Sequence, residues 1–169
     1  MTVRLAVFDC DGTLVDGQGS ICKAMDVAFA AAGLAAPDRH AVRRIVGLSL
    51  PHAVQRLAPQ LDTATVDQVV DAYKDAFRAA RAAGELVEPL YDGIGELLED
   101  LSAHGWLLGV ATGKSDRGLS HCLAMHGIGE WFMTLQTADR HPSKPHPSML
   151  ETAMTDAMVG PADCVMIGT

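Results

Sequence analysis

The sequence predicts an α/β protein in which a parallel sheet carries helices on its faces and an all-helical block follows the first strand. Four short apolar runs, which begin at residues 3, 106, 133 and 164, are typical of buried strands. Helical periodicity separates the last three runs, and it fills residues 20–84 without any strand signal. Strands that alternate with helices form parallel sheets with right-handed crossovers. A chain of 169 residues is long enough for one such core and a small inserted domain.

The first predicted strand, residues 3–8, ends in the acidic sequence Asp9-Cys10-Asp11-Gly12. Residues two apart in an extended chain point to the same side, so Asp9 and Asp11 are expected to face one way and Cys10 the other. Gly12 permits a sharp turn or the close approach of a ligand to the backbone. Two adjacent carboxylates repel, which raises the proton affinity of one of them unless a cation lies between them. The pair therefore suits a divalent metal or an acid/base function, and the alternative is an ordinary acidic turn.

The inserted block shows apolar stripes at helical spacing. Two long helices are predicted at residues 21–32 and 66–80, with two shorter helices between them. Glycines near both ends of the block are expected to act as hinges. We therefore predict a helical domain over residues 17–89 and an α/β core formed by residues 1–16 and 90–169.

The second half of the sequence alternates between helix and strand. Apolar stripes stopped by Gly105 and Gly127 predict two of its helices. The predicted order is helix 94–101, strand 106–111, helix 115–126, strand 133–137, helix 150–158 and strand 164–168.

Two loops that follow these strands carry residues suited to binding an anion, and ligands of parallel sheets bind at the carboxyl ends of strands. Thr112 and Gly113 offer a hydroxyl and backbone amides at the start of a helix. The alternative is that this sequence only caps the helix, through Ser115. Lys144, which stands between two prolines, precedes another helix. A lysine there opposes the helix dipole at a cost of roughly 0.3–1 kcal/mol, so its position favours a bound anion.

Asp9-x-Asp11, Thr112 and Lys144-Pro145, each after its own apolar strand, resemble motifs I, II and III of the haloacid dehalogenase-like hydrolase superfamily. The helical block between the first two motifs resembles the cap of the phosphoglycolate phosphatase-like branch. The resemblance covers almost the whole chain and implies a Rossmann-like, three-layer α/β core with a helical cap. Asp11 indicates phosphoryl transfer, because the dehalogenases of the superfamily lack an aspartate at this position.

The resemblance implies a magnesium-dependent phosphatase that acts on a small phosphorylated metabolite, a phosphoglycolate-type phosphomonoester. It makes Asp9 the nucleophile that forms an aspartyl-phosphate and Asp11 the general acid/base. The same two residues, Asp9 through its carboxylate and Asp11 through its backbone carbonyl, would hold Mg²⁺. The four residues with implied catalytic roles are Asp9, Asp11, Thr112 and Lys144. The implied phosphate-binding residues are Cys10, Gly12, Thr112, Gly113 and Lys144.

The sequence departs from the family at motif IV, where a Gly-Asp pair is expected after the fourth strand. The sequence has Ile167-Gly168-Thr169 there, and the fifth strand and last helix of the usual fold do not follow. We expect either a sequence cut short after strand four or a degenerate member with weak metal binding. Two further functions stay open: a β-phosphoglucomutase-like isomerase, and a non-catalytic module that binds a phospholigand or a protein partner.

Composition excludes some partners. A formal net charge of −8 argues against nucleic acid and anionic membranes, and it requires a local cationic pocket for any phosphorylated substrate. No apolar run reaches membrane-spanning length, and the amino-terminal run, interrupted by Arg4, does not resemble a signal peptide. The four cysteines are far apart in the sequence, which favours reduced thiols and a cytoplasmic protein. The sequence carries no signal for an oligomeric state.

Overall fold

Four parallel strands form the centre of the fold in the computed structural model, which describes residues 2–168. Their order across the sheet is β3-β2-β1-β4, and every pairing is parallel. The strands are β1 (Arg4–Phe8), β2 (Trp106–Thr112), β3 (Thr134–Thr137) and β4 (Cys164–Ile167). Each differs from its predicted range by one residue, and the predicted α/β class with a parallel sheet is confirmed.

Seven helices connect the strands within the described residues. They are α1 (Gln18–Ala31), α2 (Arg39–Arg44), α3 (Leu50–Leu57), α4 (Thr63–Ala82), α5 (Ile94–Ala103), α6 (Asp116–His126) and α7 (Ser148–Ala157). Short polar side chains start three of them: Asp38, Asp62 and Ser115 each accept a hydrogen bond from a backbone N–H in the first turn that follows. Short 3₁₀ turns cover Gly129–Trp131 and Pro161–Asp163.

The sheet is covered on both faces, as the alternation of side chains along β1 requires. Ala6 and Phe8 join one buried cluster with residues of α5 and α6. Leu5 and Val7 join a second cluster, together with Met149 and other residues of α7. The core therefore has three layers, and all of β1 except Arg4 is buried.

Helices α1 to α4 pack around a buried cluster of their own. Met25 of α1, Val54 of α3 and Val69 of α4 lie in it, and each is almost completely removed from solvent. This separate cluster supports a cap domain over residues 17–89, although that boundary stays a prediction.

The two linkers between the helical block and the sheet run side by side. The Asp16 N–H donates to the Pro89 carbonyl (2.8 Å), and the Tyr91 N–H donates to the Leu14 carbonyl (3.1 Å). These bonds bring both linkers to the carboxyl edge of the sheet, beside the residues that follow β1. None of the helices in residues 2–168 is long and apolar enough to cross a membrane.

Candidate active site

Asp9 and Lys144 form an ion pair at the carboxyl edge of the sheet, with 3.1 Å between Oδ2 and Nζ. Asp9 is fully buried, and its Oδ1 accepts a hydrogen bond from the Cys10 N–H (2.7 Å). The Asp9 N–H donates to the Ile167 carbonyl (3.0 Å), which fixes the tip of β1 against β4. Lys144 also donates to the Ala111 carbonyl (3.3 Å). The lysine therefore joins the ends of β1 and β2, as the parallel register allows.

Cys10 points away from the site, as the strand alternation predicts. Its side chain is buried in the core, with its Sγ 3.8 Å from the Sγ of Cys122. Cys10 therefore has only its backbone N–H to offer to a phosphate, and in this structure that N–H binds Asp9. Gly12, whose φ is +81°, makes the turn after the acidic pair.

Thr112 and Gly113 lie at the end of β2, next to the Ala111 carbonyl that Lys144 contacts. Thr112 is buried, and its Oγ1 accepts a hydrogen bond from the Lys114 N–H (3.1 Å). A Cβ at Gly113 would lie 2.3 Å from the Leu48 carbonyl oxygen, so the loop before α3 rests directly on this glycine. Ser115 caps α6, so the helix-cap interpretation is confirmed, whereas anion binding by Thr112 and Gly113 stays a prediction.

Asp11 contacts a different lysine from Asp9. Its Oδ1 lies 3.4 Å from the Nζ of Lys114, and Lys114 is also paired with Glu88. The three side chains are each less than 15% exposed (12% for Asp11, 7% for Lys114 and 6% for Glu88), so the network is shielded from water. A Cβ on Gly17 would lie 2.9 Å from Asp11 Oδ1. A side chain here would displace the Asp11 carboxylate, so this glycine leaves room for the acid, besides any role in a hinge.

Burial raises the pKa of Asp11 to about 6; Lys114 lowers it in part, while the charges of Glu88 and Asp9 raise it further. For Lys114, burial lowers the pKa, but the charges of Asp11 and Glu88 outweigh burial and raise it above the ordinary value. The lysine therefore stays charged. A carboxyl group with a pKa near neutrality is suited to giving and taking a proton.

Sequence reasoning missed Lys114 and Glu88. Lys114 stands just before the Ser115 cap of α6, so the argument from the helix dipole that singled out Lys144 applies to it as well. Glu88 gave no comparable signal, because its burial arises from the pairing of the two linkers. Its backbone carbonyl also accepts a hydrogen bond from Nε2 of His126 at the end of α6 (2.6 Å).

The donors available for a metal are the Asp9 carboxylate and the Asp11 backbone carbonyl. No hydrogen bond among residues 2–168 ends at that carbonyl. The same residues contain no group of three or more His, Cys, Asp and Glu side chains that could hold an ion. Mg²⁺ is usually held by one or two carboxylates and keeps water and phosphate oxygens as its other ligands. The two donors fit a magnesium ion of that kind.

A cavity of about 830 Å³ lies between the helical block and the sheet, with Asp11 and Gly113 in its wall. Its size suits a small metabolite. The lysines and arginines in its wall are Lys74, Arg78, Arg81, Lys114 and Arg117. They provide the local positive charge that a phosphorylated substrate requires in a chain of net charge −8.

The helical block touches the lysine loop as well. The Ser49 N–H, at the start of α3, donates to Oγ of Ser143 (2.9 Å), the residue before Lys144. Lys114 Nζ lies 5.4 Å from the ring centroid of Phe77 in α4. The block therefore contacts both loops that were predicted to bind phosphate.

The chain is similar in sequence and fold to known proteins. Residues 6–169 match the family model described as haloacid dehalogenase-like hydrolase. The chain is 30% identical over 173 residues to a phosphoglycolate phosphatase of Vibrio parahaemolyticus, a match that covers 98% of this chain and 75% of the relative. It is also 33% identical over 167 residues to the probable phosphatase IndB of Dickeya dadantii. This match covers 97% of this chain and 72% of the relative.

A solved structure described as a predicted phosphatase from Clostridium acetobutylicum superposes with a TM-score of 0.85 at 26% identity, covering 99% of this chain and 76% of that one. The order of strands, the pairing of Asp9 with Lys144 and the family match agree with one another. The chain belongs to the haloacid dehalogenase-like hydrolase family and is one of its phosphatases.

Proposed function

We propose that this protein is a magnesium-dependent phosphatase that hydrolyses a small, phosphoglycolate-type phosphomonoester through an aspartyl-phosphate on Asp9. The observation that carries the proposal is the buried Asp9–Lys144 pair at the carboxyl edge of the sheet, with Asp11 beside it in the wall of a cavity. The names of the relatives, phosphoglycolate phosphatases among them, support the choice of substrate class.

Asp9 would attack the phosphorus atom, forming a bond from a carboxylate oxygen to phosphorus while the bond to the leaving oxygen breaks. A carboxylate and a phosphate dianion repel each other, so this step needs positive charge and fixed donors. Lys144, which contacts Asp9 at 3.1 Å, would supply part of this charge. The donors would be the Thr112 hydroxyl and the backbone amides of the loops that contain Gly12 and Gly113.

Asp11 would give its proton to the leaving alcohol and later take one from the water that attacks the aspartyl-phosphate. That attack releases inorganic phosphate and restores the Asp9 carboxylate. A pKa of about 6 allows Asp11 to serve in both directions near neutral pH. Its Oδ1 forms no hydrogen bond within residues 2–168, and only the 3.4 Å ion-pair contact with Lys114 holds it.

Magnesium would be held by the carboxylate of Asp9 and the backbone carbonyl of Asp11. When bound, it supplies positive charge next to the phosphoryl oxygens. The remaining ligands would be water and the substrate, which is the usual coordination of Mg²⁺ in phosphoryl-transfer sites.

The test is replacement of the nucleophile. Asp9→Asn keeps the size of the side chain but cannot form the aspartyl-phosphate, so release of phosphate from 2-phosphoglycolate and from p-nitrophenyl phosphate should fall by about 10³-fold or more. Asp67→Asn, an exposed aspartate of α4, is the matched control and should keep full activity. Retained turnover in Asp9→Asn would contradict the proposal. Interconversion of hexose phosphates by the unmodified protein, with little phosphate released, would favour the isomerase instead.

A further inference from the structure

His141 lies at the start of the loop that carries Lys144, and the proposed reaction gives it no role. It is half-buried in the wall of the cavity. Its Nε2 lies 2.7 Å from Oε1 of Gln136, and its Nδ1 lies 2.7 Å from Oγ of Ser148. Because both ring nitrogens are bonded to other residues of the chain, neither is left for a ligand in the cavity. The ring therefore acts within the protein and not on a substrate.

The two partners of His141 belong to different elements. Gln136 is in β3, and Ser148 is the first residue of α7. The ring therefore closes residues 141–148, the Lys144 loop, and ties both ends of this loop to an edge strand of the sheet. A closed loop has fewer accessible conformations than an open one, so the residues inside it are held more narrowly.

The amide of Gln136 has a fixed orientation because of its other partners. Its Nε2 donates to Oγ1 of Thr134 (2.8 Å) and to Oδ2 of Asp156 (3.1 Å). The Thr134 hydroxyl donates to the same carboxylate oxygen (2.7 Å). Since a carboxylate accepts hydrogen bonds and donates none, the amide nitrogen faces Asp156 and the amide oxygen faces His141. Gln136 and Thr134 are each only 3% exposed, so these bonds are shielded from water.

The orientation of this amide determines where the proton of the His141 ring lies. An amide oxygen only accepts, so Nε2 carries the proton and donates it to Gln136. In the neutral ring, Nδ1 then accepts from the Ser148 hydroxyl. Each hydrogen bond in the series from Asp156 to Ser148 thus joins a donor to an acceptor. A polar network that is satisfied in this way is rigid.

Further bonds inside the Lys144 loop connect the lysine to this network. The His146 N–H donates to the Ser143 carbonyl (3.1 Å), which makes a tight turn around Lys144. The Ser148 N–H donates to Nδ1 of His146 (3.1 Å). The turn is therefore tied to Ser148, the same residue that His141 contacts.

We propose that His141 is a positioning residue that holds Lys144 at its contact with Asp9. The catalytic consequence of this inference rests on the proposed phosphatase function. The Nζ of Lys144 lies 3.1 Å from Oδ2 of Asp9. A lysine side chain is long and flexible, so the placement of its charge depends on how firmly its backbone is held. A displacement of about 1 Å at such a group can lower the rate by about 10²-fold.

The first experiment opens the Lys144 loop. His141→Ala should lower kcat for 2-phosphoglycolate by roughly tenfold to a hundredfold and leave KM within about threefold, because the charge of the lysine is needed most in the transition state. Ser148→Ala removes one of the two bonds and should cause a smaller loss. His141→Gln keeps an N–H donor for Gln136 and should recover part of the loss. His40→Ala, an exposed histidine of α2, is the control and should keep full activity.

A double-mutant cycle distinguishes positioning of the lysine from a general structural effect. The substrate is p-nitrophenyl phosphate, whose good leaving group keeps turnover measurable in weak variants. If His141 acts through Lys144, His141→Ala should lower kcat by less than about twofold in protein that already carries Lys144→Met. A tenfold or greater loss in that background would overturn the proposal. An unchanged kcat in both His141→Ala and Ser148→Ala would overturn it too.

A measurement on the protein without substrate separates this inference from the proposed function. Nitrogen-15 spectra, recorded at a pH where the His141 ring is neutral, should show the proton on Nε2. Carbon-13 relaxation of the Lys144 side chain should show greater picosecond-to-nanosecond motion in His141→Ala and no change in His40→Ala. These results would support the positioning role even if the unmodified protein hydrolysed no phosphomonoester. A proton on Nδ1, or a lysine equally ordered in both variants, would overturn it.

Discussion

Asp9 and Asp11 are two residues apart, yet each has its own cation. Asp9 contacts Lys144, whereas Asp11 shares Lys114 with Glu88. Asp11, Glu88 and Lys114 together contain two carboxylates and one ammonium group, so the charge of the carboxylates is not fully neutralised. Different surroundings give neighbouring carboxyl groups different proton affinities, and this difference separates a nucleophile from an acid/base.

The raised pKa of Asp11 predicts a stability effect. With a folded-state pKa of about 6 against an unfolded value of 3.8, the folded protein binds this proton more tightly. The group's contribution to stability is therefore full below pH 3.8 and is lost as pH rises through 6. Asp11→Asn should be more stable than the unmodified protein at pH 7, by on the order of 2–3 kcal/mol.

The measurement is urea denaturation in the presence of a chelator, at pH 7 and at the lowest pH at which both proteins remain folded. The stability gain of the variant should shrink as the pH falls below 6. Asp67→Asn removes an exposed carboxylate of the helical block and is the control. A variant that is less stable at pH 7 than the unmodified protein would show that Asp11 is stabilised, not strained, by its surroundings.

Lys114 is predicted to be a major contributor to stability. Replacement by Met leaves the carboxylates of Asp11 and Glu88 buried without a cation, and breaking a buried ion pair in this way costs about 3–5 kcal/mol. The free energy of unfolding from urea titration at pH 7 measures the loss. Lys23→Met, at an exposed position of α1, should change it by less than about 0.5 kcal/mol. Similar values for the two variants would contradict the prediction.

At the scale of elements, the loop before α3 and the turn after β2 are in direct contact. In Gly113→Ala, the new Cβ would lie 2.3 Å from the Leu48 carbonyl oxygen, and this backbone atom would have to move by about 1 Å. A displacement of that size near the reacting groups can lower the rate by about 10²-fold. We expect kcat/KM for 2-phosphoglycolate to fall at least tenfold while the circular dichroism spectrum is unchanged.

Gly160→Ala is the matched control for Gly113→Ala, since no heavy atom lies within 4 Å of its new Cβ and its φ is −95°. It should keep full activity. Unchanged kcat/KM in Gly113→Ala would mean that the loop at Leu48 is free to move aside without cost.

The elements of the core were predictable because each is bounded by local signals. The four apolar runs end at polar or glycine residues, so the strands were located within one residue. Lys144 could be identified as a candidate site residue because a lysine before a helix opposes the helix dipole. Contacts between elements were not predictable in this way. The bond from the Ser49 N–H to Ser143 depends on how the helical block packs against the sheet, and the burial of Glu88 depends on the pairing of the two linkers. Residue spacing predicts neither.

Arg81 illustrates a second reason why sequence reasoning does not predict some contacts. In the sequence it is a cation in the last turn of a long amphipathic helix, where arginine is common and usually solvated. In the folded chain its Nε is nevertheless buried, and its Nη2 lies 4.0 Å from where a Cβ of Gly118 in α6 would stand. Burial that arises from packing between distant elements therefore escapes sequence reasoning.

At the scale of the whole molecule, charge is distributed against the overall balance. The chain has 13 lysines and arginines against 21 aspartates and glutamates, yet cations outnumber acids in the wall of the cavity. A local field of this kind favours entry of a dianion into the cavity while the net charge disfavours polyanions such as nucleic acids. We expect the same arrangement to favour small anions over large ones.

The position of Glu88 determines where this molecule can be divided. It lies in the linker after α4, within the range predicted for the cap, yet its side chain pairs with Lys114 and its carbonyl binds His126, both in the core. A chimaera that receives a foreign cap together with that linker would lose the acid and leave the core lysine with Asp11 alone. Cap exchange in protein engineering should therefore place its carboxyl-terminal junction before Glu88, so that the recipient keeps this residue.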